Sequence, residues 1–314
     1  MATDVNTPPE KTTTAMKCDN TPKQKIGILA GWGRYPLVIA AALREQGYDV
    51  YILGIKDHAD PALADLCTDF QWVGLAKLGQ AIRFFRERGV QRVTMAGKVH
   101  KVLLYQPWVW LKHLPDWRAL RRFYAMFLFN RKDRRDDTLL NEVIAEFAID
   151  GIHFEPPTDF VPELLVKCGT LTRRRPSSNE RKDIDFGWQL AKEMGRLDIG
   201  QSVVVKGRSV IAIEAIEGTD QCILRAGQLC RAGGFTVVKV AKPQQDMRFD
   251  VPTVGMGTMQ AIAEAGGRVL AIEAGRTIIV DEPSVVEFAG RHRISIVALQ
   301  GDVEASGRAS AAAA

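Results

Sequence analysis

The feature that most constrains this chain is an alternation. Short apolar runs are each followed by a longer amphipathic stretch, from Lys25 almost to the end. KIGILAG (25–31) is bounded by polar sequence and glycine, so it reads as a buried strand. RYPLVIAAALREQG has helical character and stops at Gly47. DVYILGI is the next strand and FQWVG follows. LGQAIRFFRERG places Leu78, Ala81, Ile82 and Phe85 on one helical face, and RVTMAGKV is again a strand. DDTLLNEVIAEFAIDG predicts a helix with Leu139, Leu140, Val143, Ile144 and Phe147 on its buried side. Asp136 and Asp137 lie in its first turn, where negative charge suits the dipole. Strands alternating with helices predict βαβ units around a parallel sheet.

Composition shifts at GTLTRRRPSSNERKD (169–183), charged and poor in apolar residues, which places a domain boundary there. The second half restarts with a helix over IDFGWQLAKEMGRL. SVVVKGRSVIAIEAI predicts a hairpin turned at Lys206-Gly207. Helices and strands then alternate to ISIVALQ, an α/β pattern of mixed strand direction. The expected layout is a tail over 1–24, an N-terminal domain over 25–168, a C-terminal α/β domain over 169–302 and a tail over 303–314.

Composition narrows the function classes. Of 314 residues, 46% are hydrophobic and 25% charged, enough for two domains with cores. Five scattered cysteines with no C-x-x-C or paired Cys/His spacing argue against zinc and against a disulfide framework. The opening MATDVNTPPEKTTTAMKCDN is polar and lacks the apolar segment of a signal peptide. The net charge of +5 is uneven: residues 101–135 carry nine Lys/Arg and two Asp, so the rest is slightly acidic. Three of the six tryptophans, Trp108, Trp110 and Trp117, lie in that same segment. Aromatics interleaved with cations are typical of a membrane–water interface with anionic lipid. A buried helical subdomain or a dimer surface, with arginines reaching outward, is the alternative. Nucleic acid ranks lower, because no stacking platform is present.

Four stretches suggest chemistry. GILAGWGRYP (27–36) is a glycine turn after the first strand, through which Gly31 and Gly33 would bring backbone N–H groups to a phosphate. The dinucleotide fingerprint fails there, since Pro36 stands where its last glycine belongs, so a plain strand–helix turn is the alternative. IEGTDQ sets Thr219 and Asp220 at a helix start, as simple caps or as a hydroxyl and a carboxylate facing a phosphate–metal unit. AKPQQDMRFDVPTVG crowds Lys242, Asp246, Arg248 and Asp250 before Pro252. Carboxylates with neighbouring cations suit Mg²⁺ and phosphate, and equally a solvated loop. EAGRTIIVD turns between two strands and aims Arg276 at an anion. The five histidines show no ligand spacing.

Taken in order, IGILAGWGRYP, MAGKV, RDDTLL, GRLDIGQSVVV, AIEGTD, RFDVPTVG and EAGRTIIVD resemble the LpxI-type UDP-2,3-diacylglucosamine pyrophosphatases of lipid A biosynthesis, from about Lys25 to Leu299. The resemblance implies a Rossmann-like N-terminal domain beside a distinct α/β domain, with the substrate between them. It implies Mg²⁺-dependent hydrolysis of UDP-2,3-diacylglucosamine to 2,3-diacylglucosamine 1-phosphate (lipid X) and UMP, with water attacking the α-phosphorus. The family's essential aspartate falls in its R-x-D-x-P motif, which carries over to Asp250. On this reading Asp250 and Asp220 hold or position Mg²⁺ and its water. Thr219, Lys242, Arg248 and Arg276 contact phosphates, Gly31 and Gly33 shape a substrate-facing loop, and Asp246 is a supporting acid. A lipid-nucleotide substrate implies a cytoplasmic protein working peripherally at the inner membrane, with a homodimer left open. Two rival functions stay open: a non-catalytic nucleotide- or lipid-binding regulator, and an NAD(P)-dependent oxidoreductase suggested by the glycine turn alone.

Overall fold

In the N-terminal half, four parallel strands are built from the runs that read as buried: β1 (Lys25–Ala30), β2 (Asp49–Ile55), β3 (Asp69–Val73) and β4 (Arg92–Ala96). A short β5 (His153–Phe154) completes a sheet of order β3-β2-β1-β4-β5, parallel throughout. The computed structural model describes residues 23–99, 114–122 and 136–301. The expected tails lie almost wholly outside these residues, as does most of the basic–aromatic segment.

Both faces of this sheet are covered, which is why its strands are apolar on both sides. On one face α1 (Tyr35–Glu45) buries Ile39, Ala40 and Leu43. On the other, α2 (Leu78–Glu87) and α3 (Asp136–Ala148) pack Ile82, Phe84, Phe85, Ile144 and Phe147 over β1–β4. The predicted buried face of α3 holds at Ile144 and Phe147, but Leu139 is exposed, because the first turn of the helix runs past the edge of this cluster. Asp116 accepts hydrogen bonds from the backbone N–H groups of Gly79 (2.6 Å) and Gln80 (3.2 Å), so a distant residue caps a helix that has no side-chain cap of its own.

The second sheet has the order β6-β13-β11-β9-β7-β8. Its parallel core is β9 (Thr236–Lys239), β11 (Val269–Glu273) and β13 (Ser295–Leu299). β6 (Gly169–Thr170) runs antiparallel to β13, and β7 (Ser202–Lys206) runs antiparallel to β9 and to β8 (Ser209–Ile213). The mixed direction expected for this half is therefore present. The hairpin turns at Gly207-Arg208, one residue later than predicted, with φ of 59° at both positions. Both Asp183 carboxylate oxygens accept from those two amides, at 2.9 and 2.6 Å. Asp183 belongs to α4 (Ser178–Arg196), which starts earlier than the predicted helix because Ser177 and Glu180 form a capping box.

Helices α5 (Thr219–Leu229), α6 (Met256–Glu264) and α7 (Glu282–Arg291) complete this half, with a two-stranded parallel pairing of β10 (Thr253–Val254) and β12 (Ile278–Ile279). The two halves touch at several points. Phe249 packs against the N-terminal cluster of Phe85 and Phe147. Arg248 Nη2 donates to Asn141 Oδ1 on α3 at 2.6 Å, and Arg34 Nε pairs with Asp281 Oδ2 at 2.6 Å. The fold is α/β, with a Rossmann-like parallel sheet beside a separate mixed sheet.

Candidate active site between the two sheets

In open parallel sheets, ligands bind beyond the carboxyl ends of the strands, where the strand order reverses. Here that point lies between β1 and β4. Gly31 follows β1, and its N–H donates to the Ala96 carbonyl at 2.8 Å. Trp32 and Lys98 exchange backbone hydrogen bonds at 2.8 and 2.9 Å. A Cβ on Gly31 would sit 2.7 Å from the Lys98 carbonyl oxygen, so glycine is required there by the neighbouring strand extension. Gly33 has a φ of 108° and open space around it. Gly31→Ala is expected to cost about 1–3 kcal/mol and to push the Lys98 segment away, read as a lower urea midpoint. An unchanged midpoint would mean that Lys98 moves aside freely.

A second group of charges lies at the carboxyl end of β9. Its last residue is Lys239, a lysine only 6% exposed at the end of an apolar strand. Its ammonium donates to Thr219 Oγ1 at 3.0 Å and to the Thr253 carbonyl at 3.1 Å. Burial pulls its pKa below the ordinary lysine range. Glu214, Asp220 and Asp250 act in the opposite direction, and Lys98 adds to the lowering. The charges of Asp220, Asp250 and Lys98 thus act on one buried amine. Two of those groups come from the second half and one from the first.

Asp220 sits in the first turn of α5, whose N-cap is Gly218. Its Oδ1 accepts from Thr258 Oγ1 of α6 at 2.8 Å, which brings the two helix starts together. Neither start has a side-chain cap, so their positive ends lie open around Asp220. Thr219 does not cap α5. Its buried hydroxyl donates to Glu214 Oε1 at 3.0 Å and accepts from Lys239.

Asp250 ends the charged loop. Gln245 Nε2 donates to its Oδ2, and its own N–H donates to the Asp246 carbonyl at 3.0 Å. Asp246 grips Arg248 through Nε–Oδ1 at 2.9 Å and Nη2–Oδ2 at 2.6 Å, and this guanidinium holds the Asp246 carboxyl below the usual range. Lys242 Nζ pairs with Asp198 Oδ1 at 2.6 Å. Arg276 is exposed on the turn between β11 and β12. The structure thus gathers Asp220, Asp250 and Thr219 around Lys239. It gives Lys242 and Arg248 carboxylate partners of their own and leaves Arg276 on a surface turn.

Lys239 and Glu214 escaped the sequence reading. The available signal was a charged residue closing an otherwise apolar strand (FTVVK) and another following SVIAI. Among the described residues, no group of three or more His, Cys, Asp or Glu side chains is arranged to hold a metal. The free cysteines Cys67, Cys168, Cys222 and Cys230 lie outside this constellation, and burial pushes the Cys222 thiol up to about 12.

Family models agree with this two-part layout. The LpxI N-terminal domain matches residues 25–164 and the LpxI C-terminal domain matches residues 167–297. The UDP-2,3-diacylglucosamine pyrophosphatase LpxI of Caulobacter vibrioides is 32% identical over 278 residues, covering 85% of this chain and 94% of that protein. Two solved biotin carboxylase structures align more loosely. One is the biotin carboxylase subunit of a pyruvate carboxylase (TM-score 0.23, 13% identity, 67% of this chain and 33% of that one). The other is the biotin carboxylase domain of Hydrogenobacter thermophilus 2-oxoglutarate carboxylase (TM-score 0.25, 11% identity, 68% of this chain and 42% of that one). Neither bears on what this chain does. The two family matches and the curated relative together span nearly all of the described chain, and the protein belongs to the LpxI family.

Proposed function

We propose that this protein hydrolyses UDP-2,3-diacylglucosamine to 2,3-diacylglucosamine 1-phosphate and UMP, a step of lipid A biosynthesis, in a C-terminal catalytic half beginning near residue 169. The observation that carries the reading is that the buried Lys239 ammonium hydrogen-bonds both Thr219, the chain neighbour of Asp220, and the carbonyl of Thr253, three residues after Asp250. Family membership supplies the substrate class.

Two carboxylates are what Mg²⁺ commonly takes from a protein when phosphate oxygens and waters complete its shell. Asp220 and Asp250 fit that pattern, and one oxygen of each is already held by a neutral donor, Thr258 or Gln245. Bound there, Mg²⁺ supplies charge neutralisation at the pyrophosphate. The protein's own groups do the rest. The open starts of α5 and α6 favour phosphate oxygens. Lys98 brings a cation from the N-terminal half. Asp250 orients the attacking water, and Asp220 stands beside it.

The test is turnover of the purified protein on UDP-2,3-diacylglucosamine with Mg²⁺ or with EDTA, in ¹⁸O-water, with products weighed by mass spectrometry. Labelled UMP and unlabelled lipid X, formed only with metal, are the expected products. Substrate binding without turnover would shift the assignment to a regulator, and a bound nicotinamide cofactor would shift it to an oxidoreductase.

We also propose that the protein works at the cytoplasmic face of the inner membrane. No helix among the described residues is long and apolar enough to cross a bilayer. Residues 117–122 are helical, and Arg118 and Arg122 turn inward to Glu146, Asp150 and Glu142 on or beside α3, rather than outward. This leaves Leu114, Trp117 and Leu120 exposed, Trp117 by 79%. Binding to vesicles of phosphatidylethanolamine with phosphatidylglycerol is expected to weaken with salt, and to fall about fivefold or more in Trp117→Ala. Binding indifferent to both would remove the membrane from this reading.

A further inference from the structure

Lys239 is placed to do more than fill space. It ends β9, and its two hydrogen bonds reach separate segments: Thr219 Oγ1 at the start of α5 and the Thr253 carbonyl in β10. Thr219 is the chain neighbour of Asp220, and Thr253 lies three residues after Asp250. The hydroxyl of Thr219 has one proton, which goes to Glu214 Oε1 at 3.0 Å, so toward Lys239 it is an acceptor. Glu214 is 7% exposed, and its Oε2 is buried with no hydrogen-bond partner among the described residues. A buried carboxylate oxygen left unsatisfied beside a buried amine is costly. Such groups in a folded protein call for a functional or structural explanation.

We propose that Lys239 is the positioning residue of this site: it ties the start of α5 to β10 and so sets the separation of the Asp220 and Asp250 carboxylates. Glu214 holds the Thr219 hydroxyl in the accepting orientation. Lys239 itself acts through Thr219 and Thr253 rather than on the substrate. The inference rests on the reading of Asp220 and Asp250 as the working pair.

The test uses the full chain and two variants that cut the same tie from opposite ends. Lys239→Met keeps the stem and removes the donors; because it leaves the buried Glu214 without its neighbouring cation, its stability is read separately from the urea midpoint. Thr219→Val removes the acceptor with little change of shape. For each, kcat on UDP-2,3-diacylglucosamine with Mg²⁺ is expected to fall about fiftyfold or more, because small misplacements of reacting groups cost that much. KM should stay within about threefold, the split that marks lost positioning rather than lost binding. The double variant should be about as slow as the worse single one, since the second change finds the tie already cut.

Amide hydrogen exchange gives a readout that needs no substrate. Protection at Cys222, whose N–H bonds to the Gly218 carbonyl, and at Ile278 and Val280, which bond to the carbonyls of Pro252 and Val254, should fall about tenfold or more in Lys239→Met, with β1–β4 unchanged. Either variant retaining kcat within threefold overturns the proposal. So does a raised KM with kcat intact, which would put the lysine on the substrate, or a double variant whose losses multiply. If the wild-type protein does not turn over this substrate, the functional reading falls, and exchange alone decides the tie: unchanged protection overturns it.

Discussion

Asp250→Ala is expected to lower turnover of UDP-2,3-diacylglucosamine roughly a thousandfold, the scale seen when one preorganised charge-stabilising group is removed from an active site. The expectation follows from how the loop is held. Asp246 clamps Arg248, Arg248 reaches Asn141, Phe249 packs into the N-terminal cluster, and the Asp250 N–H donates to the Asp246 carbonyl. None of these anchors uses the Asp250 side chain. Truncation removes the hydrogen bond from Gln245, worth about 1 kcal/mol, and leaves the loop in place. Circular dichroism and the urea midpoint should therefore stay close to wild type while kcat collapses. Asp250→Asn sharpens the result, because it keeps the shape and removes the charge. Both variants inactive and folded would establish a charge-dependent role. An Asn variant within tenfold of wild type would show that Asp250 works only as a hydrogen-bonding group, and the assignment of metal or water positioning would fall.

Glu273→Ala is the change with the largest expected effect on stability. Glu273 ends β11 and is 3% exposed. Its two oxygens take the Lys192 ammonium at 2.8 and 2.7 Å, and Oε2 also accepts the Ala241 N–H at 2.8 Å. Removing the carboxylate leaves the partly buried ammonium with its weaker bond to the Ala241 carbonyl at 3.2 Å and strands the buried Ala241 N–H. Breaking a buried pair from one side typically costs 3–5 kcal/mol; Lys192 keeps some solvent access, so about 3 kcal/mol is expected, read as a lower urea midpoint. Lys192→Met combined with Glu273→Met should recover much of the loss, since apolar pairs of similar volume often replace buried ion pairs at little cost. A single variant within 1 kcal/mol of wild type would mean that water or a neighbour replaces the carboxylate. Ala241 immediately precedes the loop that carries Asp250, so a looser loop should accompany the lost stability.

How far the sequence could be read depends on the range of the interaction involved. The strands β1, β2 and β9, the helices α1 and α2 and the hairpin all follow from periodicity and turn residues, and the structure has them within a residue or two. The early start of α4 was also legible, in the Ser177…Glu180 spacing, but a charged stretch hid it when weighed by composition alone. The exposure of Leu139 and the inward turn of Arg118 and Arg122 were not legible. Both depend on where a helix ends relative to a cluster formed by other segments.

The candidate site divides along the same line. Asp250 and Asp220 stood out because each lies in a local string of unusual residues, RFDVP and EGTD. The same local crowding suggested Lys242 and Arg248, which the structure pairs with Asp198 and Asp246. Lys239 stood out least, as a single lysine at the end of an apolar run, yet it is the group on which Glu214, Asp220, Asp250 and Lys98 all act. By itself the sequence determined the α/β alternation, the two halves and the residue types able to handle phosphate, because helix and strand periods and turn chemistry are set by near neighbours. Only the tertiary structure decided which charges share a site. The order of strands in the two sheets, and the contacts between the two halves, bring together residues whose separation in the chain carries no record of their proximity.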